Sequence, residues 1–238
     1  MNISASVHLD AEETPGAHEL RVIQEDPWLI ASFSRPVRAC SWAIVRGGLV
    51  DTDHVAWLEV RDGDLRPPID AAALLRQRLD DRSLRRAVGL LTSRRVSTFQ
   101  DVRAEHGRLW ARCIATVGLG NALRAGDPPG VAGRIGTINL LVHIAARLSD
   151  AALLEASAIA TEAKAAAVLE AGILSRRSGR PATGTGTDCT VVTCAPSIVL
   201  PDAAVYAGKH TAIGAVVGES AFEAVRAGVA AWLVERKQ

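Results

Sequence analysis

Short apolar runs separated by turn residues occupy the first two-thirds of the chain and predict β-strands. Pairs such as Asp26-Pro27, Arg35-Pro36 and Gly47-Gly48 interrupt these runs, as turn residues do between strands. The predicted strands are residues 20–24, 28–33, 39–45, 54–60, 88–92, 110–117 and the apolar run 140–145, with an edge strand within 94–107. Between them, residues 69–79 carry apolar side chains at helical spacing, which predicts one short helix.

Two long helices are predicted in the last third, on either side of a buried strand at 190–194. The first covers 150–171, with Ser149 as N-cap and Gly172 as the residue that ends it. The second covers 212–235 and repeats small apolar residues every three or four positions. This order predicts an α+β fold: a mixed or mostly antiparallel sheet covered by alanine-rich helices. Residues 1–18 are predicted to be a loose lead-in, and 19–238 a single domain.

A threonine–glycine stretch precedes the last strand and is the most unusual local pattern in the chain. It reads Thr183-Gly184-Thr185-Gly186-Thr187-Asp188. Glycines allow close backbone approach, and such a run can turn several N–H groups toward one anion. If the run is extended, the three threonines lie on one side and Asp188 on the other. The stretch matches neither a P-loop nor a dinucleotide-binding fingerprint, and a glycine-rich turn with threonine filler is the plainer interpretation.

Composition narrows the class of protein. Of 238 residues, 48% are hydrophobic, and the net charge is +1, so there is no strong basic field for nucleic acid. No apolar run has the length of a transmembrane helix, and the N-terminal residues do not resemble a signal peptide. The four cysteines lack zinc-binding spacing. We expect a cytoplasmic protein with a small-molecule substrate and no membrane partner, whose alanine-rich helices also allow a homo-oligomer.

The acid–base candidates lie near the glycine-rich segments. They are Asp188, His210, Lys209 and Glu162. His210 and Lys209 precede the last helix, whose N-terminus favours an anion or a developing oxyanion, and a neutral imidazole can accept a proton near pH 7. Glu162 is interpreted as a solvated helix residue, and His143, within an apolar strand, as a core histidine. No cluster has the spacing of a metal site.

Several separated motifs, in one order, resemble the adenosylcobinamide amidohydrolase family. The two hallmark stretches are Ala182–Cys189 and Tyr206–Thr211. Further matching segments are Val88–Ser93, Gly120–Ala122, Gly136–Asn139 and Thr161–Lys164. The resemblance covers about residues 84–235. The N-terminal third departs from the pattern, with Arg46 and Asp51 where such members have asparagine.

The resemblance implies hydrolysis of adenosylcobinamide to adenosylcobyric acid and aminopropanol, a step of corrinoid salvage for cobalamin synthesis. We predict Asp188, His210 and Lys209 as catalytic residues. The predicted substrate-binding residues are Thr183, Gly184, Thr185, Gly186, Thr187, Asn121, Thr137, Asn139, Tyr206 and Thr211. The substrate itself carries cobalt, so no cofactor and no metal site is predicted.

The mechanism is open at this stage. In one hypothesis Asp188 or His210 activates water, while Lys209, the N–H groups of 184–187 and the last helix's N-terminus hold the oxyanion. In another, Thr185, Thr187 or Cys189 is a covalent nucleophile, although a buried structural role is favoured for Cys189. Two other classes compete: a non-catalytic corrinoid- or nucleotide-binding protein using the same loops, and a structural or assembly protein.

Overall fold

The computed structural model describes residues 20–61, 63–65, 68–130, 136–195 and 203–236. The predicted lead-in at 1–18 lies outside the described residues, and the single domain over 19–238 stays a prediction. The elements are β1 (Leu20–Glu25), β2 (Trp28–Ser41), β3 (Gly48–Glu59), α1 (Ala71–Asp81), β4 (Val88–Thr92), β5 (Gln100–His106), β6 (Leu109–Val117), β7 (Ala122–Leu123), β8 (Ile138–Arg147), α2 (Asp150–Glu170), β9 (Gly184–Thr185), β10 (Cys189–Ala195) and α3 (Ala212–Glu235). A 3₁₀ turn, Val96–Thr98, precedes β5.

One mixed sheet organises the chain and confirms the predicted α+β class. Its strand order is β4-β3-β2-β10-β8-β6-β5, and β1 pairs with the first part of β2. The pairs β8–β10 and β3–β4 are parallel, and the other pairs are antiparallel. Because β8 and β10 are parallel and joined through α2, both begin at the same edge of the sheet. The residues just before these two strands are therefore neighbours.

Most predicted elements are confirmed, but two strand boundaries are wrong. The predicted strands at 28–33 and 39–45 are one continuous strand, β2, whose pairing with β3 shifts register between Ser32 and Val37. The Arg35-Pro36 pair, which the sequence predicts as a turn, lies within that irregularity, a position that tolerates a proline. β3 begins at Gly48 instead of 54, since its polar residues Asp51, Thr52 and His54 still pair with β2. The edge strand within 94–107 is confirmed as β5.

Helices α2 and α3 cover one face of the sheet. Their small residues, with alternate residues of β6, β8 and β10, form the largest apolar cluster. Helix α3 packs so closely on β6 that a Cβ on Gly228 would lie 2.4 Å from Cγ2 of Val117. Both helices begin with a hydroxyl cap, because Ser149 accepts from the N–H of Ala152 and Thr211 from the N–H of Gly214.

The other face is covered by the sheet itself, which curls so that β1 and the first half of β2 pack across it. Phe33 of β2 and Trp57 of β3 share a core cluster with Ile114, Leu141 and other residues of the central strands. The curl also brings the end of β4 to the start of β8, where the amide of Asn139 donates to the carbonyl of Leu91 at 2.7 Å. The edge at which β8 and β10 begin is thus enclosed on several sides.

Candidate functional site

Asp188 lies at this edge, immediately before β10, and its carboxylate accepts four hydrogen bonds. Oδ2 accepts from Nζ of Lys164 at 2.5 Å and from the N–H of Thr185 at 3.0 Å. Oδ1 accepts from the hydroxyl of Thr185 at 2.5 Å and from the N–H of Ile138 at 2.9 Å. A carboxylate has about four acceptor positions, so these donors use its full capacity. The side chain is only 8% exposed.

Lys164 supplies the opposite charge from the middle of α2. Its side chain is 8% exposed, and its ammonium pairs with Asp188. A buried ammonium needs such a partner because desolvation disfavours the charge. Lys164 belongs to one of the segments that resemble the family, but it was not predicted as a site residue. Its signal was a rare residue type, one of three lysines, within an alanine-rich helix.

The threonine–glycine stretch is not one continuous strand. Gly184 and Thr185 pair with Leu123 and Ala122 as β9 and β7, and the chain then turns at residues 186–187. The expectation that Asp188 faces away from Thr185 is therefore wrong, because the turn brings the two side chains together.

The three threonine hydroxyls contact three different segments instead of one common point. Thr183 accepts from the N–H of Ala125 at 2.9 Å, and Thr187 donates to the carbonyl of Gly136 at 3.0 Å. Only Thr185 contacts the charged pair. Gly184 is required beside it: a Cβ there would lie 2.1 Å from Oδ2 of Asp188 and 2.8 Å from Nζ of Lys164.

The residues that begin β8 support this arrangement. The hydroxyl of Thr137 lies 2.9 Å from the carbonyl of Thr187 and 3.2 Å from Oδ1 of Asn139. Asn121, in the loop before β7, is buried beside Gly136 and Gly186. The structure therefore brings Asp188 together with Thr185, Thr187, Thr137, Asn139 and Asn121, all predicted site residues.

Trp42 is a neighbour of the site that the sequence analysis missed. Its indole N–H donates to the backbone carbonyl of Asp188 at 2.7 Å, while its side chain is 49% exposed. Ile44 in the same β2–β3 connection is 47% exposed. The exposed ring of Trp42 therefore provides an accessible apolar surface next to Asp188. No local pattern links Trp42 to a residue 146 positions later.

Lys209, His210, Tyr206 and Thr211 lie at the start of α3, as predicted, but apart from the charged pair. Lys209 forms an ion pair with Glu162 of α2, and both are mainly exposed. His210 and Tyr206 are exposed, whereas Thr211 caps the helix and also donates to the carbonyl of Gly208. Across the described ranges, none of these side chains is hydrogen-bonded to Asp188. Glu162 is mainly exposed, as predicted for a solvated helix residue, and it pairs with Lys209.

Burial suppresses the reactivity of the cysteines. Desolvation raises the pKa of Cys189 to about 12 and that of Cys194 to about 11, and it also raises the pKa of Cys113. The thiolate is the nucleophilic form, so Cys189 is a poor nucleophile at neutral pH. Within the part of the chain that the structure describes, no group of three or more His, Cys, Asp or Glu side chains is arranged to hold a metal ion.

A cavity of about 840 Å³ lies elsewhere, between the β1–β2 turn, the end of β3 and α1. Its lining includes Trp28, Leu58, Glu59 and Arg78, and none of the predicted site residues. Among the described residues, its lining contains carboxylates but no serine, threonine, cysteine or histidine. The Asp188 cluster combines a carboxylate with a hydroxyl, so it is the better candidate for catalysis.

Comparison with known proteins identifies the family. The adenosylcobinamide amidohydrolase family model matches residues 12–237, so the chain belongs to this family of amidohydrolases. It is 39% identical over 140 residues to the adenosylcobinamide amidohydrolase of Halobacterium salinarum. That alignment covers 53% of this chain and 54% of the relative, about half of each.

Two solved structures have a lower similarity. A β-aminopeptidase from a Burkholderia species has a TM-score of 0.45 at 14% identity, covering 93% of this chain and 81% of its own. A Pyrococcus horikoshii protein has a TM-score of 0.45 at 10% identity, covering 92% and 83%. At these scores the likeness supports no conclusion about activity. Among the described helices, none is both long and apolar enough to cross a membrane.

Proposed function

We propose that this protein hydrolyses the amide that joins aminopropanol to adenosylcobinamide, releasing adenosylcobyric acid for cobalamin synthesis. Family membership supports the reaction class. The observation that carries the proposal is the buried Lys164–Asp188 pair with the hydroxyl of Thr185 directly on the carboxylate. Amide hydrolysis needs a nucleophile, a proton acceptor and donors for the oxyanion, and these groups are the right types for that chemistry.

The first route uses Thr185 as the nucleophile. Its Oγ1 attacks the amide carbon while Asp188 accepts the hydroxyl proton, the C–N bond breaks, and aminopropanol leaves with that proton. Water then hydrolyses the threonine ester and restores the hydroxyl. Thr185 is favoured over Thr187, whose hydroxyl donates to Gly136, and over Cys189, whose pKa is raised by burial. Lys164 keeps Asp188 oriented toward Thr185.

The second route uses water activated by His210, with Lys209 and the N-terminus of α3 as oxyanion donors. His210 is exposed and has room for water, whereas the oxygens of Asp188 are already occupied by four donors. Lys209 would have to leave Glu162 to reach an oxyanion. This route requires the scissile amide to lie at the start of α3 instead of beside Thr185.

The exposed apolar surface at the site suits the rest of the substrate. A corrin is a broad, flattened macrocycle, and the half-exposed ring of Trp42 lies next to Asp188, with Ile44 in the same connection. Aromatic faces bind such ring systems well. We propose the cytoplasm as the compartment, because all four cysteines are free thiols and disulfides are rare there.

The test is incubation of the purified protein with adenosylcobinamide, followed by chromatography and mass spectrometry for adenosylcobyric acid. Thr185→Ala, Asp188→Asn and His210→Ala are assayed beside the parent, and the quenched enzyme is examined for an acyl adduct. Loss of turnover in the first two variants, with an adduct on Thr185, supports the first route. Loss in His210→Ala alone supports the second. Corrinoid binding without any product would contradict the hydrolase assignment and favour a carrier.

A further inference from the structure

Trp42, which directly follows β2, contacts two consecutive residues at the start of β10. Its indole N–H donates to the backbone carbonyl of Asp188 at 2.7 Å. Burial raises the pKa of the Cys189 thiol, and a hydrogen bond from the backbone N–H of Trp42 opposes that rise. The segment that carries the Asp188 carboxylate is therefore attached to both the side chain and the main chain of the tryptophan.

The connection between β2 and β3, which carries Trp42, is itself attached to the sheet. The N–H of Gly89 in β4 donates to the carbonyl of Val45 at 3.0 Å, which ties the connection to a further strand. The turn is also closely packed, because a Cβ on Gly47 would lie 2.5 Å from the carbonyl oxygen of Ala43. The position of the indole is thus set by the sheet.

The ring of Trp42 is exposed although its N–H is hydrogen-bonded to the protein. Its exposed fraction is 49%, whereas Trp28 and Trp57 are 5% and 0% exposed in the core. An aromatic side chain with a hydrogen-bonded polar end and an open apolar face suits an interface with a ligand. Trp42 therefore connects an accessible surface directly to the main chain of Asp188.

The hydrogen bond from Trp42 does not depend on the charge of the Asp188 carboxylate, unlike the four that the carboxylate accepts. In the first proposed route Asp188 takes the proton of Thr185, which neutralises the carboxylate. Contacts with an ionised group are stronger than contacts with a neutral one, so the attraction of Lys164 falls at this step. The bond to the backbone carbonyl keeps its strength and holds the residue while its side-chain contacts weaken.

We propose that Trp42 is a positioning residue for the reaction: its indole N–H keeps Asp188 aligned with Thr185 while its ring face contacts the corrinoid. This inference rests on the proposed function and on its first route. It separates two contributions of one side chain, because the N–H acts on the rate of the chemical step and the ring acts on affinity.

The experiment compares Trp42→Phe, which keeps an aromatic face but lacks the N–H, with Trp42→Leu, which lacks both. For each variant, kcat and KM are measured with adenosylcobinamide, and the affinity for adenosylcobyric acid is measured by equilibrium dialysis with detection of corrin absorbance. One hydrogen bond predicts a fall in kcat of about 3- to 10-fold for Trp42→Phe, with product affinity unchanged. Trp42→Leu should show the same fall and, in addition, a loss of about 3- to 10-fold in product affinity.

Trp110→Phe is the matched control, because Trp110 is a half-buried tryptophan of β6 whose ring centroid lies 4.4 Å from the guanidinium carbon of Arg103. This variant should leave kcat, KM and product affinity unchanged. Urea midpoints are measured for all three variants. Since four donors still hold the Asp188 carboxylate in the resting enzyme, the midpoint of Trp42→Phe should stay close to that of Trp110→Phe.

A parent-like kcat for Trp42→Phe would overturn the inference. A urea midpoint far below that of Trp110→Phe, together with weaker product binding, would also overturn it, because that combination marks a purely structural role. If either result comes with a parent protein that hydrolyses adenosylcobinamide, the proposed function stands and only this inference fails. The same holds if His210→Ala abolishes turnover and Thr185→Ala does not. If the parent neither binds nor hydrolyses the corrinoid, both fail.

Discussion

Replacing Lys164 by methionine tests whether the buried ion pair holds the site together. Methionine fills most of the volume of the lysine stem but leaves Asp188 without its charged partner. Breaking a buried pair from one side typically costs about 3–5 kcal/mol. Asp188 keeps the hydroxyl and N–H of Thr185 and the N–H of Ile138 as donors. We therefore expect the lower end of that range, about 3 kcal/mol.

The chain contains a matched control for this change. Lys209 also forms an ion pair with a carboxylate, but its side chain is 68% exposed and that of Glu162 is 56% exposed. Exposed pairs contribute roughly 0–1 kcal/mol, so Lys209→Met should be almost neutral for stability. The two variants remove the same functional group and differ chiefly in burial.

The assay is urea unfolding followed by circular dichroism, with the midpoint and slope determined for each variant. A loss of about 3 kcal/mol corresponds to a fall in melting temperature of roughly 6–12 °C for a chain of this size. Equal free energies of unfolding for Lys164→Met and Lys209→Met would refute the reasoning. That result would mean that the Lys164–Asp188 pair is hydrated in solution or contributes nothing beyond its packing.

Three further predictions use other contacts of the site and its supports. Gly184→Ala places a methyl 2.1 Å from Oδ2 of Asp188 and should destabilise the protein by about 1–3 kcal/mol. Gly186→Ala should destabilise it less, because the nearest contact of the new methyl is the flexible end of Leu123 at 3.2 Å. Equal urea midpoints for the two variants would contradict this prediction. The pKa of Asp127 is lowered to about 2, chiefly by the hydrogen bond that Ser175 donates to its carboxylate. The contribution of this carboxylate to the free energy of unfolding should therefore be complete above its ordinary pKa of 3.8 and lost as the pH falls toward 2. The difference in unfolding free energy between the parent and Asp127→Asn should shrink over that interval, and a constant difference would show that the carboxylate is not the cause. Cys189→Ala should keep most of the turnover of adenosylcobinamide because the thiol is buried and protonated, and a loss of more than about 100-fold would reinstate it as a nucleophile.

Local sequence patterns were sufficient for most of the helices and strands. The predicted helix at 212–235 has the observed bounds of α3, because a 3.6-residue apolar stripe and a hydroxyl cap are properties of the segment itself. The prediction of α2 differs only at its final residue. The prediction failed where long-range pairing overrides local signals: Pro36 looked like a turn residue, yet the ladder with β3 continues beyond it.

The site was predicted in part for the same reason. Thr185, Asp188 and Thr137 were accessible to sequence reasoning because glycine-rich loops next to buried strands are unusual and because they belong to motifs that resemble a family. Lys164 and Trp42 were not assigned, since one lies in the middle of a helix and the other at the end of a strand. Their contacts with Asp188 span 24 and 146 positions in the chain.

The amino-acid sequence by itself determined the elements, the fold class and the family, since each depends on periodicity, capping residues or short motifs. Only the tertiary structure decided which polar groups meet. The parallel pairing of β8 and β10 aligns their starts, α2 packs against β10, and the curl of the sheet closes the edge. The partners of Asp188 follow from that packing, because contacts between distant segments depend on strand order and curvature, which no local pattern encodes.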